Sequence, residues 1–147
     1  MYSRLQNEGS RDGAPFADWK WRCNTVKALQ LVEFAKNHGV DSTKSKETLF
    51  DALYEKGEDV SSVDVLVMIG KERLGLESEE AAMRQYLERD EGAKEVHDQI
   101  AHGVGKYGIR GVPYFVIQRK GTSQKPYGVS GAQLPETFVE VFEEFNE

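Results

Sequence analysis

The sequence predicts an α/β chain in which several helices precede one antiparallel β-hairpin and a closing helix. Three observations carry this expectation. Apolar residues recur at helical spacing up to about residue 107. The period then changes at Tyr114-Phe115-Val116-Ile117, a β-rich run. Finally, Pro135, a residue type favoured at the first helical position, opens a last apolar-striped stretch.

Taken in order, the first twelve residues hold Leu5 but little apolar periodicity, and they read as the tail of a helix stopped near Gly13-Ala14-Pro15. Phe16-Ala17-Asp18-Trp19-Lys20-Trp21 is a short aromatic segment, expected extended or in a loop. Asn24 is a candidate N-cap for a helix closed by Gly39, with Thr25, Ala28, Leu29, Val32 and Ala35 on one face. A second helix is expected from about Lys46 to Lys56, with Leu49, Phe50, Leu53 and Tyr54 inward and Gly57 as its stop. Ser61-Ser62-Val63-Asp64 has the form of a capping box for a third, which carries Val63, Leu66, Val67, Ile69 and Leu74. A fourth starts after Ser78 and runs to about Glu88. A fifth spans about Asp90 to Lys106, with Ala93, Val96, Ile100, Val104 and Tyr107 as an inward stripe. Tyr127-Gly128-Val129-Ser130 is the second strand of the hairpin, and the last helix is expected to bury Phe138, Val141, Phe142 and Phe145.

The chain has 147 residues, one domain's length, and can bury a core without disulfides or metals. Acidic residues outnumber basic ones by 25 to 19, a formal net charge of −6. That argues against nucleic acid or an anionic membrane as the main partner, because phosphate binding wants clustered Lys and Arg. No apolar run approaches the roughly 18 residues of a membrane span, and the first residues lack the apolar stretch of a secretory signal. The single cysteine, Cys23, excludes an internal disulfide, a CxxC pair and a cysteine-based zinc cage. The expected location is therefore a reducing cytoplasm.

A lone hairpin is marginal in water and leaves an edge and a face open. The sequence thus predicts that the strands pair with something not in this chain, or that another molecule completes the sheet.

Lys106-Tyr107-Gly108-Ile109-Arg110-Gly111-Val112-Pro113-Tyr114-Phe115-Val116-Ile117 resembles the cis-proline loop and following strand of thioredoxin-fold proteins. Tyr127-Gly128-Val129-Ser130-Gly131-Ala132-Gln133-Leu134-Pro135-Glu136 resembles the hairpin exit and helix start of the DsbA-like family, nearest its cytosolic FrnE-type branch. Asn24-Thr25 and the amphipathic run to Gly39 are similar to the opening of that branch's helical insertion. The glutathione-using sister branches, kappa-class transferases and hydroxychromene carboxylate isomerases, carry a G-x-D-R string where this chain has Ser130-Gly131-Ala132-Gln133.

The resemblance implies an incomplete thioredoxin-like fold within a single partial domain at 1–147. Residues up to about 107 are mostly helical insertion, and 108–147 hold the cis-proline loop, hairpin and last helix. It also implies that the family's first strand, its CxxC helix and its second strand are missing, which agrees with the sheet deficiency. Catalytic cysteines are accordingly absent, and Val112 and Pro113 are the expected substrate-binding residues, a cis Val112–Pro113 bond turning the Val112 backbone toward an extended peptide. The implied activity is thiol–disulfide exchange on a protein or small-molecule thiol or disulfide, with this chain inactive alone. The alternatives are a redox-silent protein-binding module and a glutathione-dependent transferase or isomerase.

The remaining side chains invite simpler readings. Cys23 stands where a helix start could activate a thiol modestly, but a structural, half-buried thiol beside Trp19 and Trp21 is the expectation. His97 and His102 are not at the spacing of a helical metal pair, so no metal and no cofactor is expected. Ser61, Ser78 and Ser130 read as caps or turn residues, since none lies in a G-x-S-x-G setting. Gly103-Val104-Gly105 lies at a helix's end, which does not suit a phosphate loop.

Overall fold

The protein's structure, a computed structural model, describes residues 2–17 and 23–145. It contains helices α1 (Tyr2–Arg11), α2 (Val26–Asn37), α3 (Ser42–Phe50), α4 (Val63–Glu72), α5 (Glu80–Glu88), α6 (Ala93–Tyr107) and α7 (Pro135–Glu144). Strands β1 (Tyr114–Ile117) and β2 (Tyr127–Ser130) follow α6. The chain divides into two compact units, Met1–His97 and Asp98–Glu147.

The first unit is a helical bundle in which α2 packs against α3, α4 and α5. Its core is built from Leu31, Leu66, Ile69, Met83 and Leu87, all fully buried. α2 buries more than one stripe. Leu31 and Phe34 join Ala28, Val32 and Ala35 inside, because three helices press on this one. Helices α4 and α5 approach closely at Gly70, where the side chain of Met83 fills the space a Cβ would take. Two ties close the bundle's ends. Lys27 Nζ donates to the Leu87 carbonyl at 2.8 Å and to Asp90 Oδ1 at 2.7 Å. Arg73 pairs with both oxygens of Glu58, at 3.0 and 2.5 Å.

Helix boundaries depart from expectation for local reasons. Asn24 Oδ1 accepts from the Val26 N–H at 3.1 Å, but Thr25 occupies the N-cap position. Helix α3 begins earlier than expected, because Asp41 accepts the Thr43 and Lys44 N–H groups. It then runs into a π-helical turn, Asp51–Glu55, which rotates the faces that follow. Phe50, expected inward, is 60% exposed as a result, while Ala52 is buried. The expected capping box at Ser61 is absent. Ser62 is the N-cap without a side-chain bond, and Asp59, two residues upstream of Ser61, accepts both the Ser61 N–H and its hydroxyl. Nor does Ser78 cap α5: it sits in a short 3₁₀ turn, Glu77–Glu79.

The second unit holds the hairpin and α7. Strands β1 and β2 pair antiparallel as expected, with Tyr114 opposite Ser130 and Ile117 opposite Tyr127. One hairpin face carries Phe115 and its partner Val129. There Phe115 meets Phe138 of α7 edge-on, with ring centroids 4.9 Å apart. Among the described residues of this unit, Val129 and Val141 alone are buried apolar residues. The expected stripe of α6 is therefore corrected. Val96, in the first unit, is buried, but Ile100 and Val104 are half exposed. Phe142 of α7, expected inside, is 53% exposed, because the hairpin is too narrow to cover more than one turn's width of that helix.

Candidate functional site

The loop that carries Val112 and Pro113 is set by glycines on either side. Gly108, at φ +64, takes the left-handed conformation that ends α6, and its N–H still reaches the Val104 carbonyl at 3.0 Å. Gly111 precedes Val112, and the Val112–Pro113 bond is cis. The Pro113 carbonyl accepts the Gly131 N–H at 2.8 Å, which extends the hairpin ladder by one bond. Gly131, at φ +82, can turn there without Cβ strain. Val112 itself is 89% exposed. Among the described residues its N–H and carbonyl have no backbone partner.

Antiparallel pairing alternates bonded and non-bonded pairs. With Pro113 bonded to Gly131, the bonded positions on β1 are Phe115 and Ile117. The N–H and carbonyl groups of Tyr114 and Val116 therefore face away from β2, in line with those of Val112. On the opposite side of the hairpin, the corresponding outward carbonyl of Ser130 is taken by Gln133 Nε2 at 2.8 Å. Gln133 belongs to the Ser130-Gly131-Ala132-Gln133 string, and this bond gives it a structural role.

A groove of about 370 Å³ lies between the end of α6 and the second hairpin face, lined by Lys106, Tyr107, Tyr114, Val116, Lys125 and Tyr127. Gly128 forms part of its floor. A Cβ at Gly128 would collide with the Tyr114 phenol, whose hydroxyl donates to the Tyr107 carbonyl at 3.3 Å. Lys106 Nζ sits 5.0 Å from the centroid of the Tyr107 ring. None of these groove residues was expected to have a binding role. A signal was present in the two Lys–Tyr clusters, Lys106-Tyr107 and Lys125-Pro126-Tyr127, that bracket β1.

Cys23 stands in the first unit, three residues before α2 begins and away from a helix N-terminal position. Its half-buried thiol donates to Asp59 Oδ1 at 3.3 Å. The Ser61 hydroxyl, then the Ser61 N–H, and lastly the Cys23 thiol hold the Asp59 carboxyl below the usual carboxylate range. Trp19 and Trp21, the expected neighbours of Cys23, lie outside the described residues.

His38 Nδ1 lies 2.8 Å from the Phe34 carbonyl and its ring stacks on Phe34, a packing role. Among the described residues no three His, Cys, Asp or Glu side chains converge as metal ligands would. Among the same residues no helix is long and apolar enough to cross a membrane.

No curated protein matches the chain. A family model, the DSBA-like thioredoxin domain, matches residues 1–143. With a helical segment leading into a proline loop, a terminal antiparallel hairpin and a closing helix, and with this match over nearly all its length, the chain belongs to the DSBA-like thioredoxin domain family.

Proposed function

We propose that these 147 residues serve the substrate-docking part of thiol–disulfide exchange, in the manner of the cytosolic FrnE-type branch. Val112 and Pro113 present an extended backbone edge to a thiol- or disulfide-bearing polypeptide. The observation that carries this reading is the exposed Val112, whose N–H and carbonyl lack backbone partners and continue the outer edge of β1. Such an edge accepts a further strand through main-chain hydrogen bonds.

Dithiol exchange needs an attacking and a resolving sulfur. The sequence holds one cysteine, whose thiol is bonded to Asp59. The exchange therefore draws its dithiol from elsewhere, in a longer product or a separate polypeptide. The single cysteine equally favours a second reading, a redox-silent binding module that uses the same edge.

Insulin reduction separates activity from docking. The 147-residue chain is expected to show negligible turnover, unchanged by Cys23→Ser. Robust turnover that survives Cys23→Ser overturns the reading. Docking is read by amide shifts at Val112 when an uncharged extended peptide is added; no shift there removes Val112 from the site. A dithiol thioredoxin-like partner that gains activity from the chain favours the exchange reading over the silent module.

A further inference from the structure

We propose that Thr122, in the loop between β1 and β2, is a phosphorylation site for a protein kinase that selects basic residues, and that the added phosphate draws Arg119 off the end of α7. The proposal does not rest on the docking role given to Val112. Three features carry it.

The first is the pattern of charge before the hydroxyl. Arg119 and Lys120 stand three and two residues ahead of Thr122. Of all serines and threonines in the sequence, Thr122 alone has a basic residue at both of these places. An extended chain rises about 3.3 Å per residue, so the two cations lie about 7–10 Å ahead of the hydroxyl when the loop is drawn out. Charge patterns of this kind let a kinase choose its substrates, through carboxylates that pair with the cations. Thr25 comes next, with Arg22 alone three residues ahead, but its carbonyl is held by the Leu29 N–H at the start of α2.

The second is the freedom of the backbone. Residues 118–126 are Gln, Arg, Lys, Gly, Thr, Ser, Gln, Lys and Pro, with no large apolar side chain to anchor them. Such a stretch runs over the surface, so its exposure does not depend on which strand borders β1. Among the described residues, neither the N–H groups nor the carbonyls of this stretch take part in a backbone–backbone hydrogen bond. Thr122 is half-buried and Ser123 beside it is exposed. Drawing the loop into a kinase cleft gives up the bond from the Thr122 hydroxyl to the Arg119 carbonyl, at 3.3 Å, and no backbone ladder.

The third is what the phosphate meets. Arg119 donates to the Phe145 carbonyl, at the C-terminal end of α7. Lys120 and Lys125 form no ion pair among the described residues. The stretch from Gln99 to Pro135 carries no Asp or Glu. In the transfer, Thr122 Oγ1 attacks the γ-phosphorus of ATP and the new O–P bond forms. The bond from that phosphorus to the bridging oxygen breaks, ADP leaves with the electron pair, and the hydroxyl proton passes to the catalytic aspartate of the kinase. The product has lost its donor to the Arg119 carbonyl and carries a charge of about −1.5 to −2. A phosphate dianion is a stronger partner for a guanidinium than a neutral carbonyl is. Arg119 therefore turns to the phosphate and releases the Phe145 carbonyl.

The test uses the folded 147-residue chain, ATP and, as the probe, the catalytic subunit of cyclic-AMP-dependent protein kinase. Mass spectrometry is expected to show one added phosphoryl group, placed on Thr122 by fragmentation and missing from Thr122→Val. Arg119→Gln and Lys120→Gln are each expected to lower kcat/KM for the transfer by about tenfold, the loss of one charged hydrogen bond. In the phosphorylated chain the carbonyl-carbon signal of Phe145 is expected to move. Absence of transfer, phosphate on Thr25 or Ser123 instead, or transfer only after the chain is denatured overturns the site. Equal rates for the parent chain and both Gln variants overturn selection by the basic residues. Phosphate on Thr122 with the Phe145 signal unmoved overturns the release of α7.

Discussion

Gln30 is fully buried on α2, and its Oε1 has no hydrogen-bond partner among the described residues. Its Nε2 makes only a long contact with Asp90, at 3.4 Å. An unpartnered buried polar group costs about 1–3 kcal/mol, against about 1 kcal/mol for an ordinary hydrogen bond. Gln30→Met keeps the volume and removes the orphan oxygen. It should raise the urea midpoint, by about 1 kcal/mol of stability. A loss instead would mean that the Asp90 contact matters more than its length suggests. Gln30 was not legible in the sequence, since a polar residue inside an apolar stripe reads as solvent-facing.

Three aspartates contribute to the acid sensitivity of the fold. The Lys44 N–H, with that of Thr43, holds the Asp41 carboxyl below its ordinary range. Lys27, then Gln30, does the same for Asp90, and Ser61 for Asp59. A carboxyl with a depressed folded value contributes its full stability above its unfolded value, about 3.9. The contribution is lost as pH falls through the lower folded value. Their contribution should therefore hold from neutrality to about pH 4–5 and be lost beneath that. Urea titrations at stepped pH check this, and Asp59→Asn should flatten part of the slope. A fall centred near neutrality would point to histidines instead.

At the scale of elements, close approaches at glycine decide two packings. Gly70 admits Met83 between α4 and α5, so Gly70→Ala should cost about 1–3 kcal/mol by overpacking, despite alanine's better helix propensity. Gly128 lies under the Tyr114 ring, and Gly128→Ala should swing that ring away and break its bond to the Tyr107 carbonyl. Loss of the Tyr114 ring-proton shifts that mark this contact would report the change; an unshifted ring would mean that the strand bends instead. The hairpin itself was readable because β-rich Tyr114–Ile117 and Tyr127–Ser130 stand between glycines and prolines. The inward faces of α3 and α6 were not. A π-helical turn inserted after Phe50 breaks the period on which such a reading depends. In α6, Ile100 and Val104 follow the apolar period yet stay half exposed. Periodicity identifies an apolar stripe but does not say how much of it this chain covers.

Across the whole molecule, burial is uneven. The first unit holds nearly all the buried apolar residues, while the second buries Val129 and Val141. Local stability follows buried apolar contact. Hydrogen exchange should therefore show slow amides at Leu66–Ile69 and fast ones at Tyr114–Ile117. Uniformly slow exchange through both would contradict this division of stability. The family was legible because the proline loop and hairpin exit are contiguous strings, with residue identities set by backbone geometry. The Lys–Tyr groove was not, because its walls come from segments separated along the chain.

The bond from Gln133 to the Ser130 carbonyl has a consequence for behaviour at high concentration. A hairpin with both borders available can stack copy upon copy into a growing fibre. Here one outward acceptor of that border, the Ser130 carbonyl, is already occupied, so a copy adding there forms one main-chain bond fewer. Gln133→Ala returns that acceptor to the border and should raise thioflavin binding in a concentrated solution; unchanged thioflavin binding would mean that the bond does not guard the edge.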